Sequence, residues 1–546
     1  MPSFNLIDEP WIPCILRDGE TYRSYGLRDT LLKAPVIREL SASSPLATMA
    51  LHRLLLAILH RVFGPRSVRD WRQLWERGAW DPEALGVYLE DWRERFDLFH
   101  PTHPFYQDAT LKGHNARTIA ILRHDLASGN NATLFDHTVD HAPPLFTPSE
   151  AAIALLSYQS CALGGLVSFE KGQDRRIGGA ADAAPLAKGA VGLFKGNNLF
   201  ETLMLNLVRY DGENGHPFCF DPGRDRPVWE RDEPAQAIDR CPYGYLDWLT
   251  WLSRRVCLIP ETNPDGPVWV RRAVAMKGCQ LPAGVELRDY EPMLAFRAVP
   301  RPDPGQSPWR VIGFQEGRAL WRDSLALVQS LDRQQQRPKT ADWLAELIDE
   351  EVLQASAIVP TQYFGLCADR AKPLFWRHER LPLSLRYLSD KSLCDDLRVA
   401  LRVVEQGAEI LRGAIQLLAL LLVAPSEDPA KPRKEVREAA QRLSRTLAAE
   451  HSYWPRLDAP FKHLLVELAG ADGRDPIAAR RKCLSEWAAT VERVARQVFE
   501  DTTRSLDMSA HALKAVAMAE RKFRQHLHDA FAAYREQVIG AMAVRR

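Results

Sequence analysis

The sequence lacks most of the patterns that identify an enzyme. It contains no GxxxxGK[ST] phosphate-binding loop, no GxSxG nucleophile turn and no HExxH zinc motif. Nine cysteines are scattered over 546 residues and no two form a CxxC pair. This argues against a ribbon-type zinc site and against a disulfide framework. We therefore expect a protein of the reducing cytoplasm that uses no cofactor.

An excess of charge, a leader and a membrane span are also missing. The 71 basic and 70 acidic residues give a net charge of +1, so composition alone does not indicate nucleic acid. The N-terminus has no basic region followed by an apolar run, so we expect no signal peptide. The most apolar run, residues 414–424, is about half a membrane span and contains Gln416. It predicts a buried helix and no membrane partner.

The patterns that are present predict an α+β protein. Residues 1–382 mix helices, turns and strand-like runs, with a hairpin signal at Asp18-Gly19 and a helix cap at Ser44. Apolar stripes at helical spacing then follow, the longest a heptad stripe from Leu397 to Leu422. We predict a large mixed domain over 1–382 and an antiparallel four-helix bundle over 383–546.

The most informative segment is Ser128–His137, which reads Ser-Gly-Asn-Asn-Ala-Thr-Leu-Phe-Asp-His. Its glycine, asparagines and aspartate favour a loop, and the aromatic Phe135 lies among small and polar neighbours. A helix is predicted from Ser149, and it ends at Gly164-Gly165 in a glycine-rich stretch with more basic than acidic residues. Backbone amides in such a stretch can approach a phosphate or the floor of the minor groove.

Histidine and aspartate are concentrated around the same loop. The cluster comprises His124, Asp125, Asp136, His137, Asp140 and His141. A spacing of four residues suits a metal on a helix, but the predicted setting is a loop, which favours a structural or polar-surface role. The cluster keeps a metal-dependent hydrolase open as an alternative. Two further sites have ordinary surface interpretations: Lys277, predicted at a hairpin tip before Gly278, and the polar turn Asp369–Lys372.

Taken in order, several segments resemble the CasA family, the large subunit of the type I-E CRISPR Cascade complex. The matching segments are residues 5–8, 11–13, 128–137, 152–155 with Gly164-Gly165, 249–255, 290–293, 377–379 and the C-terminal helices. The resemblance covers nearly the whole chain. Each motif is short, and the order and spacing of the set make it specific.

The resemblance implies a non-catalytic protein of antiviral defence. Such subunits recognise the protospacer-adjacent motif of double-stranded DNA through the minor groove. They help open the duplex for guide-RNA pairing and recruit a helicase-nuclease. The implied partners are target DNA, the 5′ end of the guide RNA, the other Cascade subunits and that helicase-nuclease, in the cytoplasm.

The resemblance also implies site residues. Its first loop falls on Ser128–His137, which assigns RNA contacts to Asn130, Asn131 and Phe135 and DNA contacts to Phe135, Asp136 and His137. Its glycine loop implies DNA contacts at Gly164, Gly165, Val167 and Ser168. Its lysine finger falls on Lys277, and its wedge hairpin falls on Asp369, Arg370 and Ala371.

The sequence departs from the family pattern at two of these places. The end of the glycine loop is poor in glycine, and the wedge has Asp369-Arg370 where a well-known member of the family has Asn-Gln. The minor groove carries a degenerate code, so a few residues there read only a short, tolerant motif. Because guide RNA supplies most of the sequence specificity, a net charge of +1 is no objection. A purely structural scaffold subunit remains the second alternative.

Overall fold

The computed structural model describes residues 2–126, 143–168, 179–232, 237–262, 266–303, 305–330, 334–369, 371–472, 475–506 and 509–543. Two compact units divide the chain. The first comprises Met1–Phe314, Ser330–Leu353 and Val359–Arg380. The second comprises Gln315–Gln329, Gln354–Ile358 and Leu381–Arg546. Two short segments that we assigned to the first domain therefore belong to the second unit.

Small sheets supply the β content of the described chain. The strands are β1 (Ile12–Leu16), β2 (Tyr22–Tyr25), β3 (Ile37–Leu40), β4 (Arg117–Thr118), β5 (Gly165–Leu166), β6 (Ala180–Ala181), β7 (Val191–Phe194), β8 (Arg254–Thr262), β9 (Val268–Lys277), β10 (Phe296–Ala298), β11 (Trp309–Val311), β12 (Gln335–Gln336), β13 (Ile358–Asp369) and β14 (Lys372–Ser384). They form the sheets β2-β1-β3, β4-β9-β8, β5-β6, β11-β10-β12 and β14-β13-β7.

Helices account for most of the remaining regular structure. They are α1 (Leu27–Leu32), α2 (Pro45–Phe63), α3 (Val68–Arg77), α4 (Pro82–Asp91), α5 (Pro148–Cys161), α6 (Leu199–Asn206), α7 (Tyr245–Leu249), α8 (Leu287–Tyr290), α9 (Ser324–Val328), α10 (Lys339–Asp349), α11 (Arg386–Ser389), α12 (Lys391–Val423), α13 (Lys434–Leu447), α14 (Ala449–Gly470), α15 (Pro476–Arg504) and α16 (Ala510–Ala543). The predicted α+β class is confirmed.

Local signals set several of these boundaries. Asp18 Oδ1 accepts hydrogen bonds from the backbone N–H groups of Glu20 and Thr21, at 3.0 and 2.9 Å, which closes the β1–β2 turn. Ser44 Oγ accepts from Ala47 N at 3.1 Å and begins α2. Both predicted features are confirmed, because each depends on groups within a few residues of one another.

The C-terminal helices correct one expectation. After residue 390 the described chain forms five helices of 14 residues or more, not four. The additional helix is α14, whose interior contains Pro455 and Pro460. Proline normally ends or kinks a helix, so no helix was expected over this segment. Helices α12, α14 and α15 pack on one another, α16 contacts α12 and α15, and α13 packs beside α12.

Two described helices are long and apolar enough to cross a membrane by length and composition alone, namely α2 and α12. Within the most apolar window, 78% of α2 and 44% of α12 is buried inside the protein. Core helices pass the same test, so this is weak evidence for a span. The predicted burial of residues 414–424 is confirmed in part, since Ala414, Ile415 and Leu418 are buried in α12.

Candidate nucleic-acid interface

The glycine segment, defined here as residues 163–168, follows the end of α5. Gly165 has a φ of +145° and pairs with Ala181 across the β5–β6 ladder. A Cβ added to Gly164 would lie 3.0 Å from Ala183 N and 3.2 Å from Ala181 O, closer than most side chains tolerate. Glycine is therefore needed at both positions, at Gly164 for space and at Gly165 for backbone conformation.

A buried arginine holds this segment in place. The Arg254 guanidinium donates to the carbonyl oxygens of Leu163 at 2.9 Å, Asp182 at 2.7 Å and Ser253 at 2.8 Å. The side chain is fully buried, and burial lowers the pKa of Arg254 below its ordinary value. Three carbonyl dipoles compensate the charge, so the guanidinium ties Leu163, at the start of the glycine segment, and Asp182, which follows β6, to the start of β8.

Gln159 of α5 completes this anchor. Its Oε1 accepts from Arg254 N at 3.0 Å, and its Nε2 donates to Arg254 O at 2.8 Å. Gln159 was not among the residues predicted from the sequence, and Arg254 was noted only within residues 249–255, a segment that resembles the family. The available signal was a polar residue on the apolar face of a predicted helix, together with an arginine at the start of a strand.

The structure connects the glycine segment to the strand that carries Lys277. Ser168 N donates to Ala275 O at 3.2 Å, and Ser168 forms an isolated parallel bridge with Met276. Lys277 follows directly as the last residue of β9. Because backbone bonds join the two segments, Val167, Ser168 and Lys277 occupy one region of the first unit.

The predicted hairpin-tip position of Lys277 is wrong. In the β8–β9 ladder Lys277 pairs with Arg254, whereas the two strands are joined at the opposite end of the ladder, after Thr262 and before Val268. The register of the two strands places Lys277 at the open end of the hairpin, and the short apolar runs of the sequence do not specify that register. Lys277 Nζ instead lies 3.1 Å from Asp239 Oδ1, in an ion pair.

The end of the β13–β14 hairpin approaches the same region. Asp369 and Ala371 are exposed and flank the connection between the two strands. A Cβ added to Gly165 would lie 3.4 Å from the Ala371 Cβ. The structure therefore brings together three of the four predicted elements: the glycine segment, the Lys277 strand end and the hairpin end.

The remaining predicted contacts lie outside the described residues. They are Asn130, Asn131, Phe135, Asp136 and His137 of the first loop, and Arg370 of the wedge. Their assignments stay predictions.

The histidine cluster has two described members, and both have structural partners. His124 Nε2 lies 3.0 Å from the Cys161 carbonyl oxygen, and Asp125 forms an ion pair with Arg123. Burial lowers the pKa of His124 below its ordinary value, which favours the neutral ring. Within the described ranges, no group of three or more His, Cys, Asp or Glu residues could hold a metal ion.

Comparison with solved structures defines the class of protein. Thermobifida fusca Cse1 superposes with a TM-score of 0.79 at 27% identity, over 97% of this chain and 98% of that chain. A chain of a CRISPR RNA-guided surveillance complex has the same fold, with a TM-score of 0.74 at 21% identity, over 96% of this chain and 100% of that chain. The fold is thus that of a CRISPR-associated protein.

Sequence comparison narrows this class to a family. The family model described as CRISPR-associated protein Cse1 matches residues 5–498. The CRISPR-associated protein CasA/Cse1 of Thermus thermophilus is 32% identical over 97% of this chain and 98% of its own length. This chain belongs to the Cse1 family, also called CasA, the large subunits of Cascade. The resemblance found in the sequence is confirmed.

Proposed function

We propose that this chain is the DNA-recognition subunit of a type I-E CRISPR surveillance complex in the cytoplasm. It recognises the protospacer-adjacent motif in double-stranded DNA through the minor groove and helps open the duplex for guide-RNA pairing. It then recruits the helicase-nuclease of antiviral defence. The chain itself catalyses no reaction, and its C-terminal helices dock on the other Cascade subunits.

The observation that carries this proposal is the convergence of Gly165, Ala371 and the Lys277 strand end. Glycine at 164 and 165 leaves peptide groups uncovered by side chains, which lets a backbone approach the floor of a narrow groove. A lysine beside them supplies a charge for a phosphate. A hairpin end beside both can enter between base steps that must separate.

The near-neutral net charge agrees with a subunit of a larger assembly. Protein contacts to phosphates carry no sequence information, and base pairing with guide RNA reads the target. A few residues are then enough for the motif. We infer contacts of the first loop, residues 128–137, with the 5′ end of the guide RNA from the family resemblance alone.

The test uses the complete complex assembled with guide RNA. Equilibrium binding is measured on duplexes that carry the correct motif or a scrambled one, each with a matching target. Lys277→Ala is compared with Lys33→Ala, because Lys33 also forms one ion pair, with Asp29 at 2.7 Å, in the same unit. We expect K277A to weaken binding of the motif-bearing duplex by roughly three- to ten-fold, and K33A to leave the affinity for that duplex unchanged.

Two results would contradict the proposal. A wild-type complex that binds correct and scrambled motifs equally would indicate a purely structural scaffold. Metal-dependent cleavage of DNA by the purified chain, with stoichiometric bound metal, would indicate a hydrolase. Recruitment is measured separately, as binding of the helicase-nuclease to target-bound complexes with and without this subunit.

A further inference from the structure

The ion pair between Lys277 and Asp239 is asymmetric in its exposure. Lys277 Nζ lies 3.1 Å from Asp239 Oδ1. The lysine side chain is 20% exposed, whereas the aspartate side chain is 57% exposed. The lysine proposed to bind DNA is therefore neutralised by a carboxylate that itself faces solvent.

Backbone pairing holds Asp239 in this position. Arg240 N donates to Gln280 O at 2.9 Å, and Gln280 N donates to Ile238 O at 3.0 Å, on either side of Asp239. The Gln280 side chain continues the connection, since its Oε1 accepts from Asp182 N at 3.0 Å. Asp239 thus lies on a segment, residues 238–240, whose backbone is bonded to Gln280, three residues after Lys277. The Gln280 side chain links this segment to Asp182, which Arg254 also holds.

We propose that Asp239 pairs with Lys277 in the protein without DNA, and that a phosphate of the target duplex replaces the Asp239 carboxylate as the partner of Lys277. This inference rests on the proposed function. An ion pair whose carboxylate faces solvent contributes little free energy, so a DNA phosphate can displace the Asp239 carboxylate at small cost. The displaced carboxylate then lies close to the phosphate and repels it. Asp239 therefore lowers the affinity for DNA and limits binding that depends on the backbone alone.

The proposal predicts a specific pattern of affinities. Phosphate contacts carry no base information, so Asp239→Asn tightens binding to correct and scrambled duplexes by the same factor. We expect the affinity for both duplexes to rise about two- to five-fold, which matches the free energy of one partly exposed ion pair. The preference for the correct motif stays unchanged.

The experiment is a double-mutant cycle in the complete complex. D239N, K277A and the D239N/K277A double variant are each measured on both duplexes. Because Asp239 acts through Lys277, D239N should not change the affinity for either duplex in the K277A background.

Glu261→Gln is the matched control. Glu261 pairs with Arg271 near the other end of the same hairpin. Seven residue steps along β8 separate Glu261 from Arg254, the partner of Lys277 in the ladder, which is roughly 23 Å. That distance exceeds the Debye length of about 8 Å at physiological salt.

Each result supports or overturns the inference. Tighter binding by D239N that vanishes in the K277A background supports it. Unchanged or weaker DNA binding by D239N overturns the inference. If K277A still weakens DNA binding in that case, the proposed function stands. An equal gain with and without Lys277 also overturns it, because it reflects general repulsion by a carboxylate. If K277A itself has no effect, the assignment of Lys277 to DNA is wrong, and the role of Asp239 is overturned with it.

Discussion

Gly165 lies against Ala371, and this contact joins the glycine segment to the end of the β13–β14 hairpin. A Cβ added to Gly165 would lie 3.4 Å from the Ala371 Cβ, at the edge of ordinary contact. The φ of Gly165 is +145°, a value that side-chain-bearing residues rarely adopt. Backbone conformation, more than lack of space, therefore requires glycine beside the hairpin end.

Gly165→Ala should weaken binding of motif-bearing duplex to the complete complex by about ten-fold. The substitution imposes backbone strain of about 1–2 kcal/mol, or moves the segment away from the hairpin end. Gly78→Ala is the control, because Gly78 also has a positive φ, +69°, and no atom lies within 4 Å of its added Cβ. Both variants should unfold at similar temperatures. Equal DNA affinities of the two would contradict the prediction.

Arg254→Met should destabilise the first unit. It leaves the carbonyl oxygens of Leu163 and Asp182 without their buried donor, and each unsatisfied group costs about 1–3 kcal/mol. We expect the free energy of unfolding to fall by about 2–4 kcal/mol, measured by denaturant titration.

Arg272→Met is the matched control for Arg254→Met, since Arg272 lies on the neighbouring strand β9 with its side chain 55% exposed. It should change the free energy of unfolding by less than about 0.5 kcal/mol. Similar losses in R254M and R272M would show that the carbonyl contacts of Arg254 are unimportant.

His60 should make the stability of the protein fall in mild acid. The ring is 1% exposed in α2, its Nδ1 lies 2.8 Å from Leu56 O, and burial lowers the pKa of His60 from 6.5 to about 4. Below pH 6.5 the His60 ring takes up a proton in the unfolded state, whereas in the folded state it stays neutral down to about pH 4. Stability is therefore complete above pH 6.5 and is lost as the pH falls towards 4.

His60→Gln tests this titration. Between pH 7 and pH 5, wild type should lose about 2 kcal/mol of unfolding free energy more than H60Q loses. The comparison uses the change with pH, so a constant packing loss in H60Q does not affect it. Parallel curves for wild type and H60Q would rule out a neutral, buried His60.

Trp321→Ala should destabilise the second unit, although residue 321 precedes the predicted domain boundary by about 60 positions in the printed sequence. The Trp321 ring is fully buried and stacks on Phe461 of α14, with ring centroids 4.4 Å apart. Truncating a buried tryptophan costs about 3–5 kcal/mol. Hydrogen exchange should therefore accelerate in α14 and α12.

Met518→Ala serves as the control, because Met518 is an exposed apolar residue of α16 in the same unit. It should leave the exchange rates of both helices unchanged. If W321A also left them unchanged, the packing of Gln315–Gln329 on the C-terminal helices would not contribute to their stability.

Features that depend on neighbouring residues could be predicted from the sequence. The Asp18 turn, the Ser44 cap and the long apolar stripe of α12 each follow from groups one to four positions apart. Helix α14 could not be predicted, because Pro455 and Pro460 interrupt its pattern and only packing of Tyr453, Phe461 and Leu465 in the core explains it.

The sequence by itself determined the α+β class, most local boundaries and, through the order of its short motifs, the Cse1 family. Only the tertiary structure decided where Lys277 lies, that Asp239 neutralises it, and that Arg254 anchors the glycine segment. The physical reason is range. Caps, turns and stripes are determined by contacts along the chain, whereas strand register and buried ion compensation depend on partners far apart in sequence.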